Sequence, residues 1–284
     1  MLLTTPVSRV RRLLGFPSPL ADRVVLVTGA SSGIGEATAV QAAAKGATVL
    51  LVARRAEELA RVQETIEAAG GRAATYPCDL TDPDAVDALV AQVLAEHGAV
   101  DHLVNNAGRS IRRSLRLSHD RLHDVERTMA VNYLGPVRLT MGLLPAMRAQ
   151  GFGHVVNVVT WGVQVKAPKF SAYIASKTAL DTWGRIAGRE TYADGVAFTA
   201  MRFALVRTPM IAPTEAYAGR GETPERAGAR VVRALEDRPV TVDTLAGRLG
   251  EIVTIAAPRL SDAVFSLVDA RFPDSAAARG SDRP

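Results

Sequence analysis

Residues 24–35 read Val24-Val25-Leu26-Val27-Thr28-Gly29-Ala30-Ser31-Ser32-Gly33-Ile34-Gly35. An aliphatic run stops at a glycine-rich turn, and a helical pattern then continues through Lys45 to Gly46. A turn of this composition between a strand and a helix suits the phosphates of a nucleotide. Gly29 permits the tight bend, Gly33 lets the backbone approach a pyrophosphate, and Gly35 lets the helix pack close to the sheet. The turn and first helical residues, Ser31, Ser32 and Ile34 among them, offer unpaired N–H groups and the positive end of the helix dipole. The spacing is Gly-x-x-x-Gly-x-Gly rather than the tighter Gly-x-Gly-x-x-Gly. A purely structural turn is the alternative, and the strand-then-helix context argues against it.

Outward from this turn the same alternation repeats. Strands are expected at 23–27, 48–52, 73–76, 100–104, 154–159 and 196–202. Helices are expected at 57–69, 83–97, 122–147 (with Pro136 inside), 171–193, 224–235 and 262–272. Each strand is a continuous Val/Leu/Ala run, as parallel strands buried on both faces require. The expected fold is α/β, a Rossmann-type doubly wound parallel sheet in three layers, α/β/α, forming a single domain.

The chain has 284 residues, nearly two domains at roughly 150 residues each, yet no Pro/Gly/Ser linker divides it. The division expected is an arm over 1–20, one domain over 21–273 with a substrate-covering segment near 205–240, and a small polar tail over 274–284. Hydrophobic residues make up 48%, which excludes disorder. Lys and Arg number 34 against 29 Asp and Glu, a net +5. Lysine occurs only at Lys45, Lys166, Lys169 and Lys177, so arginine carries the excess. No aromatic-interleaved basic stripe accompanies it, so nucleic acid is not an expected partner. The lone Cys78 excludes an internal disulfide and suits a reducing cytoplasm. It reads as a small core residue. His97, His102, His119, His123 and His154 lack the spacing of a metal-ligand set, so no metal is expected. No secretory signal is legible. In the arm, Val7, Val10, Leu13 and Leu14 have helical spacing with Arg9, Arg11 and Arg12 between them. It reads either as packed on the body or a second subunit, or as a peripheral contact with an anionic membrane.

The end of the second strand sets the choice of cofactor. A carboxylate there would hold a ribose 2′-hydroxyl. This chain has Ala53, then Arg54 and Arg55, which suits a 2′-phosphate and so NADP(H). Asp79, with Leu80 beside it, follows the third strand and is placed to meet the adenine. Asn106, Ala107 and Gly108 follow the fourth at the same edge.

Tyr173 and Lys177 stand four apart on one helix face, thirteen and more residues beyond Thr160 at a strand end. A phenol is a poor acid–base group near neutrality, and a cation one turn away is expected to lower its pKa. Tyr173 could then protonate a carbonyl oxygen as hydride arrives at carbon.

Together these residues resemble the short-chain dehydrogenase/reductase family over roughly 20–210, through Thr28 to Gly35, Asp79, Asn105 to Gly108, Asn132, Thr160, Tyr173, Lys177 and Thr208. The resemblance implies that Asn132 holds a water in a proton relay. It implies that Thr160 binds the substrate oxygen, Lys177 also the nicotinamide ribose, and Thr208 with Val206 the carboxamide side. Thr160 replaces the family's usual serine, and Phe203-Ala204 replaces its Pro-Gly.

A closer resemblance is to bacterial long-chain fatty acyl-CoA reductases that form aldehydes. It runs through Asn105–Arg113, Asp120–Met129, Phe170–Tyr173, Leu205–Thr214 and Phe272–Ala278. It implies hydride addition to a thioester, collapse of the hemithioacetal, and release of the CoA thiol. Arg109, Arg112 and Arg113 are candidates for CoA phosphates, with a solvated or intersubunit face as the alternative. Met210 belongs to a lid expected to cover an apolar tail. Trp161 is expected to shape the substrate pocket. A ketoreductase or alcohol dehydrogenase for bulky hydrophobic carbonyls is the second reading, and an inactive NADP-binding module the third. The family resemblance also implies a homodimer or homotetramer, built on the long helices at 122–147 and 171–193.

Overall fold

The computed structural model describes residues 14–211, 214, 217, 219–272, 274 and 278. Most of the basic arm and most of the polar tail therefore lie outside the described residues.

The glycine-rich turn joins β1 (Val24–Thr28) to α1 (Gly33–Ala43). Then follow β2 (Thr48–Ala53), α2 (Ala56–Ala68), β3 (Arg72–Pro77), α3 (Pro83–His97) and β4 (His102–Asn105). Next come α4 (Leu122–Met129), α5 (Gly135–Ala149), β5 (Gly153–Thr160), the short α6 (Gly162–Val165), α7 (Ser171–Glu190) and β6 (Val196–Phe203). The described chain closes with α8 (Pro224–Asp237), β7 (Thr241–Val242), α9 (Leu245–Ala256) and α10 (Pro258–Arg271).

Seven parallel strands lie in the order β3-β2-β1-β4-β5-β6-β7. The order reverses between β1 and β4, which opens a crevice at the carboxyl edge where such sheets take ligands. The aliphatic runs feed two cores by strict alternation. Val25, Val27, Val49 and Leu51 meet one layer with Leu59, Val62, Val231 and Leu235. Leu26, Leu50, Val52 and Leu103 meet the other with Val86, Leu89, Leu139, Leu143 and Met147. Period-two side chains on strands covered by helices on both faces account for the unbroken hydrophobicity of the sequence.

Three departures from the sequence reading affect the site. The helix expected at 122–147 is interrupted by a π-helical segment, Ala130–Leu134. The short α6 and the two-residue β7 carried too little periodicity to be read. The sequence hides helix α9 because its pattern is inverted. Gly247 is buried, while Leu245, Leu249 and Ile252 are exposed.

Candidate active site

At the carboxyl end of β1 the backbone is bent at Gly29, where φ is +65°. A Cβ on Gly35 would stand 2.2 Å from the Gly29 carbonyl oxygen, so only glycine closes the turn onto α1. Asn106 locks this arrangement. Its Nδ2 donates to the carbonyls of Thr28 at 2.9 Å and Gly29 at 3.3 Å. The Thr28 hydroxyl accepts from the N–H groups of Asn106 and Ala107, each at 3.0 Å. The Asn106 amide therefore holds the turn, while its neighbours Ala107 and Gly108 shape the crevice. Ser32 caps α1 without a side-chain bond, which leaves the first-turn N–H groups available to an anion. Gly33 approaches Thr208 across the crevice, with the threonine methyl 3.0 Å from where a Cβ would sit. Val206, two residues earlier, is buried and bridges to Glu222.

No carboxylate stands at the end of β2, and Arg54 and Arg55 are exposed there. Asp79 lies within electrostatic reach of Arg54. Burial alone would raise its carboxyl, but Thr81, through backbone N–H and hydroxyl, and the Arg54 charge hold it low. The Leu80 side chain is buried in the core, and its carbonyl abuts Gly135. Arg61 was not singled out from sequence. It spans Glu36 through two bonds, at 2.8 and 2.9 Å, and reaches the Ser31 carbonyl at 3.4 Å. It props the turn from α2, and no local motif marks it. The cradle, the free N–H groups and the arginines in place of a carboxylate fit a dinucleotide bearing a 2′-phosphate.

Beyond the turn, the constellation assembles from three elements. Thr160 ends β5, its hydroxyl accepts the Gly162 N–H at 3.1 Å, and it stands close enough to the Tyr173 phenol to act on it. Tyr173 and Lys177 lie in the first two turns of α7. The Lys177 Nζ donates to the Val158 carbonyl at 2.9 Å and faces Gly108. Burial pushes the Tyr173 phenol up to about 12, with the nearby Thr160 hydroxyl opposing it. Burial pushes the Lys177 ammonium down to about 8. The expectation that Lys177 lowers the phenol is thus corrected. Desolvation dominates both groups, and the cation is engaged by a carbonyl.

Asn132 occupies the π-helical segment and is fully buried. Its Oδ1 accepts the Arg109 N–H at 2.8 Å, and its Nδ2 donates to the Arg109 carbonyl and to Ser176, both at 2.9 Å. Ser176, unremarked in the sequence, thereby couples α7 to the π segment. Such segments recur at functional sites because the extra residue redirects one side chain. Trp161, next to Thr160, is half-buried, and Met210 is exposed.

The three-arginine patch does not form. Arg112 donates to the Phe272 carbonyl at 2.8 Å, and Arg113 pairs with buried Asp124. Of the three, Arg109 alone is exposed, and Arg112 and Arg113 are half-buried. Cys78 is buried, and burial with Asp79 and Asp82 nearby pushes its thiol up to about 11.

The family model for short chain dehydrogenases matches residues 23–218. The chain belongs to the short chain dehydrogenase family. An uncharacterised oxidoreductase of Mycobacterium tuberculosis is 48% identical over 264 residues, covering 92% of this chain and 77% of that one. A fatty acyl-CoA reductase of Acinetobacter baylyi is 46% identical over 266 residues, covering 93% of this short chain dehydrogenase and 90% of the relative. Among solved structures, a metagenomic short-chain oxidoreductase in complex with NADP superposes with a TM-score of 0.69 at 32% identity. That match covers 79% of this chain and 97% of the other.

Proposed function

We propose that this chain reduces the thioester carbonyl of a long-chain acyl-CoA to the fatty aldehyde, using NADPH. The carbonyl chemistry is carried by one observation, the Tyr173 phenol set beside Thr160 at the end of β5 and one helical turn from Lys177. The substrate class is supported by the near full-length likeness to a fatty acyl-CoA reductase. The cofactor is supported by Arg54 and Arg55 and by the NADP complex of the related structure.

Gly29, Ser31, Ser32, Gly33, Ile34 and Gly35 would hold the phosphates, with Arg54 on the 2′-phosphate and Asp79 near the adenine. Ala107, Gly108, Lys177, Val206 and Thr208 would line the nicotinamide side. When bound, NADPH supplies the hydride. Thr160 orients the carbonyl oxygen and Tyr173 delivers its proton to it. The high phenol pKa keeps that proton in place until negative charge develops on the oxygen. Asn132, fixed by Arg109 and Ser176, keeps α7 in register with the π segment. Trp161, Met210 and Arg109 would border the substrate. Departure of the thiol from the hemithioacetal leaves the aldehyde.

A cytoplasmic homo-oligomer is proposed with this activity, supported by the single cysteine and by exposed Leu134, Met141 and Ile186 at the helices concerned. Light scattering tests the assembly. The activity is tested by mixing enzyme, NADPH and palmitoyl-CoA while following NADPH loss and free thiol together. Stoichiometric thiol release is expected. Turnover of ketones or aldehydes alone, without thiol, would replace the thioester reading with a ketoreductase. Binding without turnover of any carbonyl would leave an inactive module.

A further inference from the structure

Between the β4–α4 loop and the start of α7 lies a cavity of about 190 Å³. Its charged lining is Arg113, Arg121, Lys169 and Asp124, and its apolar lining includes Ile111 and Leu122. Asp124 is buried and is shared by three guanidiniums. Arg113 pairs with it closely, Arg121 meets it through Nε at 2.9 Å, and Arg127 takes the other oxygen at 2.6 Å. Lys169 is paired with Asp269 at 2.7 Å. One carboxylate cannot neutralise three guanidiniums, so positive charge is left over beside a half-enclosed space. The start of α7 adds to it. Ser171 and Ala172 line the cavity, and α7 has no side-chain cap, so its first N–H groups are unmet at that end. Those two residues immediately precede Tyr173, which puts the cavity on the rim of the catalytic crevice.

The geometry points to this cavity as the seat of a phosphoryl group of the CoA moiety, with Arg121 as its principal ligand. The inference rests on the acyl-CoA reading above and keeps, of Arg109, Arg112 and Arg113, only Arg113. Arginine suits the role because its fork can keep one nitrogen on Asp124 while offering the others to phosphate oxygens. Asp124 then acts as the post that orients Arg121.

The test is made on the full chain with Arg121→Gln. Wild-type and variant enzymes are compared on a CoA thioester and on the same acyl group carried by N-acetylcysteamine, which has no phosphate. The preference for the CoA thioester, as a ratio of kcat/KM values, is expected to fall about 10-fold in the variant. An unchanged ratio overturns the proposal. In parallel, adenosine 3′,5′-bisphosphate is titrated calorimetrically into enzyme saturated with NADP⁺, a readout independent of turnover. Binding to wild type that weakens in Arg121→Gln is expected. No binding, or equal binding to both, overturns it. Binding of palmitate in place of the bisphosphate would instead assign the cavity to a carboxylate. Should Arg121→Gln fold poorly, the wild-type salt response decides. KM for the CoA thioester should rise with ionic strength while that for the phosphate-free thioester stays level, and parallel responses overturn the proposal. A wild-type enzyme that ignores both thioesters yet binds the bisphosphate would sink the acyl-CoA reading and leave the anion site standing.

Discussion

At the residue scale the site is governed by desolvation. Tyr173, pushed up to about 12, keeps its proton at every working pH. Lys177, pushed down to about 8, does not. Its ammonium form is present below about 8 and is lost as pH rises through that value. Lys177 is proposed to hold the nicotinamide side of the cofactor as a cation, so carbonyl reduction should fall on the alkaline side with a midpoint near 8. Lys177→Arg should move that limb upward, because guanidinium stays charged throughout. A pH–rate profile flat from 7 to 9.5 in the wild type would count against this role. Tyr173→Phe keeps the ring and removes the acid, so activity should drop by about 10²- to 10⁴-fold with cofactor binding retained. Steady-state rates beside NADPH fluorescence titration separate the two effects. Arg54→Asp introduces repulsion for a 2′-phosphate, and KM for NADPH should rise at least about 10-fold relative to that for NADH. The Tyr173–Lys177 pair and the glycine turn were legible because each rests on local spacing. Arg61 and Ser176 were not, since Glu36 and Asn132 are brought to them only by the fold, and Asp124 was half legible, with Arg121 and Arg127 at local spacing but Arg113 delivered by the loop.

At the element scale, β4 and β5 carry a second consequence of burial. His102 and His154 face each other across the ladder with Nδ1 atoms 3.3 Å apart, and His154 continues to the Thr199 hydroxyl at 2.8 Å. Burial, then the Arg238 and Arg23 charges, pushes His102 down to about 3. Burial, then His102 and Arg238, likewise holds His154 well below its ordinary value. Both folded-state values lie below the unfolded reference of ~6.5. Their contribution to stability is therefore full above about 6.5 and is lost as pH falls toward 3. Denaturant unfolding should show a loss on the order of 4 kcal/mol between pH 7 and pH 5, about 2 for each imidazole. Carboxylates titrate lower and contribute little in that window. A His102→Asn, His154→Gln double variant should flatten the dependence, and an equally steep curve would refute the assignment. The strands themselves were readable because buried parallel strands are uninterrupted aliphatic runs. The π segment was not, because inserting one residue into a helical pattern leaves apolar spacing at 122–147 almost unchanged.

At the scale of the whole molecule, the chain divides into a sheet that its sequence announces and a C-terminal cover that it conceals. The sheet follows from repeated strand–helix patterning, and residues 24–35 alone place its ligand edge. The cover follows from close backbone approach. Helix α9 lies against α6, with Gly247 near Gln164 and Gly250 near Val165. The end of helix α10 is then tied to the loops before α7 and α4 by Lys169, which bonds the carbonyls of Asp269 at 3.0 Å and Phe272 at 2.5 Å, and by Asp274, which accepts the Ser114 N–H at 2.9 Å. A pattern whose glycines face inward and whose leucines face outward defeats any reading that looks for an apolar inner face. This packing makes Gly250 the point on which the cover turns. A Cβ there would stand 2.4 Å from a Val165 methyl, and α6 directly follows Thr160 and Trp161. Gly250→Leu should lift α9 and α10 together while the sheet and glycine turn stay intact. Limited proteolysis should then cleave residues 245–272 at least about 10-fold faster, because an element held by few buried contacts opens more often. NADPH affinity should stay within about twofold, while KM for a long acyl chain rises more than that for a short one. Unchanged cleavage would show that α9 is held by something other than its contact with α6. Loss of NADPH binding would show that the cover and the sheet fold as one unit.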